Sequence, residues 1–255
     1  MEYPEIDKYS SLESPIHNFD PRTKIITFTL LIFSSVFVED IRFAALALIA
    51  AFILLIISKL PFKFIFNHVK WVSLFILPFL IIMPFTVDGD VLVNISYITV
   101  THEGITYGFL ITVRAFTAIL LVFTMLGTMR FDTTIKALHM LKIPNPLVQM
   151  LMFTYRYIFV FLDEFQRMWT AMTSKGFKPG LNISSISKIG KSVGMLVVKS
   201  YERAQRVYQA MLSKGYTGNP NTIVKFNIKT RDYLITFLII SFAVVLHISP
   251  VVLLQ

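Results

Sequence analysis

The sequence contains no cysteine among its 255 residues, which excludes disulfide bonds and thiolate metal sites. It has only five histidines, no two of them within one helical turn of each other, and no HExxH-type zinc motif is present. It also lacks the GxxxxGKS/T loop that binds nucleotide phosphates. No pair of carboxylates is spaced to face each other, as acid–base catalysis would need. We therefore predict no catalytic residues, no cofactor and no metal site, and we expect the chain not to bind ATP itself.

Apolar residues, by contrast, are abundant. They make up 55% of the chain, phenylalanine alone occurs 24 times, and the mean hydropathy is +0.67. Soluble domains are nearer 45–50% apolar, so the composition predicts a polytopic membrane protein. The net charge of +9 does not require nucleic acid, because Lys and Arg also collect on the cytoplasmic side of membrane proteins.

Five apolar segments predict transmembrane helices, since a crossing helix needs about 20 residues. They are residues 24–38, 43–57, 71–87, 107–129 and 233–252. The first two are short and are separated only by residues 39–42, three of which are charged. We interpret them as a tight helical hairpin with its tip at the outer interface. One interrupted, re-entrant pair is the alternative, which we disfavour because a charged turn does not rest in hydrocarbon.

The distribution of Lys and Arg predicts the orientation. Basic residues lie in the N-terminal segment and in the predicted loop with Lys59, Lys63 and Lys70, whereas residues 88–106 contain none. Residues 130–231 carry sixteen Lys and Arg against four acids. We therefore predict a multi-pass membrane protein with a cytoplasmic N-terminus. Its parts are a cytoplasmic segment (1–23), four spans (24–129), a cytoplasmic domain (130–231) and a fifth span (232–255).

The cytoplasmic domain (130–231) is predicted to be helical. Residues 134–142 resemble a short amphipathic helix that starts near Asp132. No breaker occurs between Pro146 and Gly176, which favours one helix of about 30 residues. Its apolar start, residues 147–162, contains Gln149 and Arg156 and is interpreted as packing at the inner membrane face without crossing. A second long helix should cover residues 184–214, weakened by its two internal glycines.

A near-repeat marks the ends of both long helices. AMTSKGF at 171–177 and AMLSKGY at 210–216 lie 39 residues apart. In each copy the glycine is placed to stop the helix in the left-handed conformation, and the lysine before it complements the helix dipole. The candidate site is this set of matched residues: Ala171, Met172, Ser174, Lys175 and Gly176 with Ala210, Met211, Ser213, Lys214 and Gly215.

Upstream, Arg167 and Arg206 lie one turn before the alanines, so that Arg, Ala and Lys share one face. The small alanine between two cations permits close approach of another surface. A single Lys-Gly pair is usually an ordinary helix terminator. A duplicated basic end indicates instead a partner with two equivalent acceptor sites, such as an acidic groove on each half of a dimer.

At these residues the sequence resembles the T component of energy-coupling-factor ABC transporters, and more narrowly the CbiQ family of cobalt and nickel uptake systems. Three stretches carry the resemblance: DPRTK (20–24), TYRYIFVFLDEFQRM (154–168) and KSYERAQRVYQAMLSKGYTG (199–218). That family has two Ala-Arg-Gly-type motifs at the ends of cytoplasmic coupling helices. Here the motifs are Ser-Lys-Gly. The lysine ammonium offers a point charge in place of the planar, two-pronged hydrogen bonding of the arginine guanidinium group.

The resemblance implies an all-α membrane scaffold that performs no chemistry itself. Its implied partners are two cytoplasmic ABC ATPase subunits, a small substrate-binding membrane subunit and the lipid bilayer, without nucleic acid. Each coupling helix would sit in a groove of one ATPase subunit, so that ATP-driven closure moves the helices and reorients the substrate subunit. Cobalt or nickel would be the cargo. A T component that serves vitamin substrates, or an ABC permease with its own substrate path, is the alternative.

Four further charged residues are assigned supporting roles. Arg114 lies inside the fourth predicted span, about seven residues or roughly 10 Å from its outer end. It is either functional or reaches back to the interface. Arg156, with Glu164 two turns later, is expected to anchor the coupling domain to the membrane base, and Arg203 is expected to pair with that helix.

Overall fold

The computed structural model of the chain describes residues 7, 9–10, 12–95, 98–218, 226 and 228–253. Two compact units are present: the membrane unit, Pro4–Thr134 with Lys225–Gln255, and the helix-pair unit, Ile135–Val224. Within the described residues there are eight helices and one two-stranded hairpin. The all-α polytopic fold is thus confirmed. Lys8 and Lys225, two of the basic residues used for the orientation, lie outside the described residues.

Five helices belong to the membrane unit: α1 (Pro21–Phe37), α2 (Ile41–Ser58), α3 (Phe62–Thr86), α4 (His102–Gly127) and α8 (Thr230–Leu253). Four of them, α2, α3, α4 and α8, are long and apolar enough to cross a bilayer. The fifth, α1, has 17 residues and lies at the lower limit of the length that spans. The helix α5 (Phe131–Met140) follows α4 and starts three residues before the predicted position.

Hydrogen-bonding residues define the helix starts. Asp20 accepts from the backbone of Arg22, and Pro21 occupies the first helical position of α1. Asp40 caps α2 in the same way, accepting from the backbone of Arg42 at 2.8 Å. Thr101 caps α4 by accepting from the Gly104 amide at 3.2 Å. These polar starts fix the chain direction at the entrance of each apolar helix.

Two predicted boundaries are wrong. Helix α3 begins at Phe62, nine residues before the predicted span, so Lys63 and Lys70 lie on the helix and only Lys59–Pro61 connects it to α2. Helix α4 begins at His102, five residues early. Both errors have one cause: the hydropathy pattern marks where apolar residues begin, whereas the helical backbone already begins in the more polar stretch before them.

A short antiparallel hairpin, β1 (Val91–Ile95) and β2 (Ile98–Thr101), joins α3 to α4 in a region predicted only as a loop. Glu103, in the first turn of α4, accepts from the Asp90 amide at 2.7 Å. The Thr101 hydroxyl donates to the Val87 carbonyl at 2.7 Å. The hairpin is therefore tied to both helices that flank it.

Helix α4 lies at the centre of the membrane unit and packs against α1, α2 and α3. Leu120 and Leu121 of α4 share one buried cluster with residues of α1, α2 and α8. Leu110 and Val113 share a second cluster nearer its N-terminus. The predicted hairpin of α1 and α2 is joined by a short turn as expected, but both helices pack against α4.

The outer surface of the membrane unit is apolar. Helix α3 exposes most of its large side chains, among them Phe66, Trp71 and Phe75 at 69–76% of their surface. A soluble protein rarely exposes a contiguous apolar patch of this kind. In hydrocarbon the same face is favourable, and the two prolines inside α3 are tolerated as they often are in transmembrane helices.

Candidate functional site: two matched helix ends

The helix-pair unit is built on α6 (Asn145–Ser174) and α7 (Ile183–Ser213). Both long helices are confirmed to within two residues of their predicted bounds. A proline in the first turn starts α6, and Asn182 caps α7 by accepting from the Ser185 amide at 3.0 Å. Helix α7 continues through Gly190 and Gly194 without a break.

The two helices run antiparallel. Near the end of α6, Ser192 of α7 donates to the sulfur of Met172 at 2.9 Å. In the middle, Lys199 pairs with Glu164. At the start of α6, Gln149 accepts from the hydroxyl of Tyr216, beyond the end of α7. The C-terminal ends of the two helices therefore lie at opposite ends of the pair.

We call residues 167–177 tip 1 and residues 206–216 tip 2. Both helices end in the same hydrogen-bonded motif. In tip 1 the Phe177 amide donates to the Met172 carbonyl at 3.1 Å and the Gly176 amide to the Thr173 carbonyl at 2.9 Å. In tip 2 the corresponding bonds from Tyr216 and Gly215 have the same two lengths.

This 6→1 and 5→2 pattern is a Schellman motif, which requires a left-handed residue after the helix. The two glycines supply it, with φ of +82° at Gly176 and +79° at Gly215. The prediction that both glycines end their helices in the left-handed conformation is thus confirmed. A Cβ at either position would meet no atom within 4 Å, so the requirement is on backbone conformation and not on space.

Each tip exposes the residues that the two copies share. In both, the arginine, alanine, serine, lysine and glycine are exposed and the methionine is half-buried. We define the basic face of each tip as these exposed residues: Arg167, Ala171, Ser174, Lys175 and Gly176 in tip 1, and Arg206, Ala210, Ser213, Lys214 and Gly215 in tip 2. Each basic face is thus an exposed cationic surface with a small residue between its arginine and its lysine.

The aromatic residue after each glycine is supported differently. Phe177 is buried, and its ring packs edge-on against Trp169 with centroids 5.9 Å apart. The Lys188 ammonium lies 5.9 Å from the Phe177 ring centroid. Tyr216 is half-buried and donates its hydroxyl to Gln149, whose amide nitrogen donates to the Gly218 carbonyl at 2.6 Å.

The middle of the pair is held by an ion pair that the sequence analysis did not assign. Glu164 binds Lys199 of α7, not Arg156, which was its predicted companion. The hydrogen bond from Lys199 and its charge hold the pKa of Glu164 below its ordinary value, with smaller contributions from Arg167 and Arg203. Arg156 is exposed, with its guanidinium 6.0 Å from the ring centroid of the adjacent Tyr157. An antiparallel register was needed to bring residues 164 and 199 together.

Known proteins resemble the sequence of this chain over most of its length. The sequence matches the CbiQ family, described as cobalt transport protein, over residues 12–225. The chain belongs to the CbiQ family. It is accordingly a transmembrane component of an energy-coupling-factor transporter.

Curated relatives of this CbiQ-family chain come from archaea and bacteria. An uncharacterized protein of Methanocaldococcus jannaschii is 28% identical over 244 residues, covering 92% of this chain and 82% of that protein. The energy-coupling factor transporter transmembrane protein EcfT of Ruminiclostridium cellulolyticum is 30% identical over 226 residues, or 84% of each chain. EcfT of Bacillus subtilis is 26% identical over 227 residues, again 84% of each.

Between α6 and α7, this CbiQ-family chain has an apolar groove of about 360 Å³. Aromatic residues of α6, Phe153, Tyr157 and Phe161, form one wall. Arg203 and Met211 of α7 belong to the other. Arg203 therefore lines the same groove as the aromatic residues of α6.

In the membrane unit Arg114 lies farther from the start of its helix than predicted, because α4 begins five residues early. It is twelve residues from the start of α4, which is about 18 Å along the helix axis. Its guanidinium donates to the Val38 carbonyl, at the end of α1. That carbonyl has no partner within α1, because the helix stops one residue earlier. Arg114 thus closes the end of α1 at the turn into α2.

The DPRTK stretch fixes the other end of α1. Lys24 is buried, and its ammonium donates to the Thr128 carbonyl at 3.3 Å, at the end of α4. Arg22 donates to the Phe226 carbonyl at 2.8 Å, shortly before α8 begins. These residues connect the first, fourth and last helices, a role that the sequence analysis did not assign. Among the described residues, no group of three His, Asp or Glu could hold a metal ion.

Proposed function

We propose that this CbiQ-family chain couples two cytoplasmic ATPase subunits to a separate, small substrate-binding membrane subunit. One observation carries the proposal: the same cationic helix end occurs twice, at opposite ends of an antiparallel pair. Two antiparallel helices of nearly equal length are related by an approximate two-fold axis perpendicular to them. A dimeric motor has the same symmetry.

Each tip would bind one ATPase subunit in an acidic groove. The exposed alanine lets a groove wall approach the helix closely, while the arginine one turn before it and the lysine one turn after it pair with carboxylates on either side. Because both tips have the same Schellman motif, the lysine would project at the same angle in each. Charge therefore selects the partner, and the small residue sets the depth of contact.

ATP binding and hydrolysis would take place on the partner subunits. Closure of the ATPase dimer would displace the two tips, and the long helices would carry that displacement to the substrate subunit. The proposed domain division follows from this role. Residues 130–231 are cytoplasmic and couple the ATPase to the membrane, and residues 24–129 and 232–255 cross the membrane. The protein lies in the cell membrane of a prokaryote, with its N-terminus on the cytoplasmic side.

Cobalt or nickel is the cargo we propose. The description of the family as cobalt transport proteins supports this choice. The ion would be bound by the substrate subunit, whose chemistry decides between a metal and a vitamin. Uptake of radioactive cobalt or nickel by cells that carry the complete transporter tests the cargo, and uptake of a vitamin in place of either ion would contradict it.

Co-purification tests the coupling role. The chain, tagged and extracted from its own host, is expected to retain ATPase subunits and a small membrane protein. The double variant Lys175→Glu with Lys214→Glu should lose the ATPase, because both basic faces then repel an acidic groove. Lys178→Glu with Lys191→Glu makes the same change in net charge at exposed residues outside both basic faces, and should retain the ATPase.

Two measurements make the outcome decisive. Equal amounts of both variants in the membrane fraction exclude a defect in insertion. Undiminished ATPase retention by the Lys175/Lys214 double variant would overturn the docking role of the tips. Loss of the ATPase in both double variants would mean that overall charge, and not the basic faces, holds the partner.

A further inference from the structure

An apolar groove of about 380 Å³ lies in the membrane unit between α2 and α3. The two helices are joined by a short turn and both pack against α4, but they hardly contact each other. Every residue that lines the groove is apolar. The lining includes Phe52 of α2, Phe62, Phe66 and Val69 of α3, and Val113 and Leu120 of α4. We call this space the membrane groove.

The membrane groove reaches the end of the membrane unit where α2 stops and α3 starts. Phe62 is the first residue of α3, and Val69 follows seven residues later. The wall that α3 forms therefore covers its first 10 Å, approximately. In the proposed orientation this is the cytoplasmic end of the helix, at the level where a lipid of the inner leaflet places its headgroup.

Three exposed lysines border this end of the membrane groove. Lys63 stands three residues before Phe66 and Lys70 stands four residues after it, so both are neighbours of this ring on the helix surface. Lys59 lies in the turn before α3. In the part of the chain that the structure describes, none of the three lysines forms an ion pair.

No carboxylate of the walls competes for these cations. From Ile41 to Val87 the sequence contains no Asp or Glu, and Glu103, the one acid of α4, lies in its first turn, far from Leu120. Helix α3 also begins at Pro61 without a side-chain cap, so the amides of its first turn add partial positive charge. The end of the membrane groove thus attracts an anion, while its interior accepts hydrocarbon.

We propose that the membrane groove binds one hydrocarbon chain of an anionic phospholipid, whose headgroup lies among Lys59, Lys63 and Lys70. Basic pockets between transmembrane helices on the cytoplasmic side are typical sites for anionic lipid headgroups. The long lysine side chains can reach the headgroup level while their stems lie along apolar surface. The site uses the proposed orientation of the chain and none of the residues proposed to bind the ATPase.

Lipid binding by the complete purified chain tests the site. The probes are phosphatidylglycerol and phosphatidylcholine with identical hydrocarbon chains, added to the delipidated chain in detergent and counted by native mass spectrometry. We expect phosphatidylglycerol to bind about tenfold or more tightly than phosphatidylcholine. Equal affinities would overturn the proposal. Displacement of phosphatidylglycerol by soluble glycerol phosphate would also overturn it, since the phosphate alone would then be the ligand.

Removal of two lysines should abolish the headgroup preference. In Lys63→Gln with Lys70→Gln the ratio of the two affinities should fall to within about twofold. Lys178→Gln with Lys191→Gln removes the same charge from exposed residues of the helix-pair unit and should keep the ratio. Loss of the preference in both double variants would mean that net charge alone attracts the lipid. A preference retained in both would exclude the two lysines as the headgroup site.

A matched pair of phenylalanines tests the membrane groove itself. Phe66 and Phe75 are both exposed on α3, and only Phe66 lines the membrane groove. Phe66→Ala should weaken the binding of both lipids about fivefold by removing part of one wall, whereas Phe75→Ala should leave both affinities unchanged. Equal affinities in the two variants would contradict a chain in the membrane groove.

The complete transporter distinguishes a lipid from a protein in the same place. The complex is isolated from its own host through a tag on the chain, with and without Phe66→Ala. We expect the variant to retain its protein subunits and to lose bound phospholipid. Loss of a small membrane protein with unchanged lipid content would show that a protein segment occupies the membrane groove, and would overturn the proposal while leaving the proposed coupling function intact.

Discussion

Tip 1 and tip 2 present the same outer surface on different inner supports. Phe177 is held by the apolar contact with Trp169 from its own helix, whereas Tyr216 is held by a hydrogen bond to Gln149 at the far end of the other helix. The Schellman motif and the exposed residues are nonetheless the same in both. The two tips therefore share their exposed residues and backbone geometry and differ in the contacts that support them from beneath.

The largest difference between the tips should appear when the buried ring of tip 1 is removed. Phe177→Ala deletes a buried aromatic side chain, and such changes cost about 3–5 kcal/mol in protein cores. We expect the local stability of tip 1 to fall by an amount in this range, with tip 2 unchanged. Amide hydrogen exchange of the residues in both Schellman motifs measures this. Equal loss of protection in both tips would mean that they are not independently supported.

Alanine at either glycine should affect the two tips equally. Gly176→Ala and Gly215→Ala each force a residue with a Cβ to adopt positive φ, which costs roughly 1–2 kcal/mol. Because a Cβ meets no atom within 4 Å at either position, no steric clash adds to this cost. Hydrogen exchange at the mutated end should report the same reduction in both variants. A reduction confined to one tip would indicate that its Schellman motif does not persist in solution.

Removal of a single hydroxyl should reveal the support of tip 2. Tyr216→Phe deletes the donor to Gln149 and keeps the ring, so we expect a loss of about 1 kcal/mol. The effect should be seen at the tip 2 amides and around Gln149. Phe177→Tyr at the matching position of tip 1 serves as the control for the hydroxyl itself. An unchanged tip 2 in Tyr216→Phe would contradict the role of this hydrogen bond.

The smallest effect should come from acid. Lys199 holds the pKa of Glu164 below its ordinary value of 4.5, so the stability contributed by this pair is present above pH 4.5. It should be lost as the pH falls further, through the lowered pKa of Glu164. In Glu164→Gln this dependence should be absent. Helix content followed between pH 6 and pH 3 tests the comparison, and identical profiles for both proteins would exclude a contribution from the pair.

Local chemistry made much of the helix-pair unit predictable. The breaker-free run after Pro146 and the glycine at 176 define α6 to within two residues, because proline and glycine act on their own backbone. The repeat located both tips before any packing was known. The hairpin between α3 and α4 also had a signal, since VLVNI and ITVT are rich in β-branched residues. It was taken for a loop because the segment lies between two spans.

What the sequence could not predict depends on register between distant residues. The partner of Glu164 follows from the antiparallel alignment of α6 and α7, which no local pattern encodes. The distance of Arg114 from the helix start depends on where α4 begins, and Thr101 with Glu103 sets that start. The connections from Lys24 and Arg22 likewise cross more than a hundred residues of sequence.

The helices α6 and α7 are held together mainly by side chains in a single layer, with an ion pair open to solvent at their middle and an apolar groove beside it. On either side of the ion pair, the Ser192–Met172 and Tyr216–Gln149 hydrogen bonds also join the two helices. Rotation of one helix against the other about the Glu164–Lys199 pair would therefore break bonds at both ends. A displacement applied to either tip would instead be carried to the other by the pair as one stiff beam.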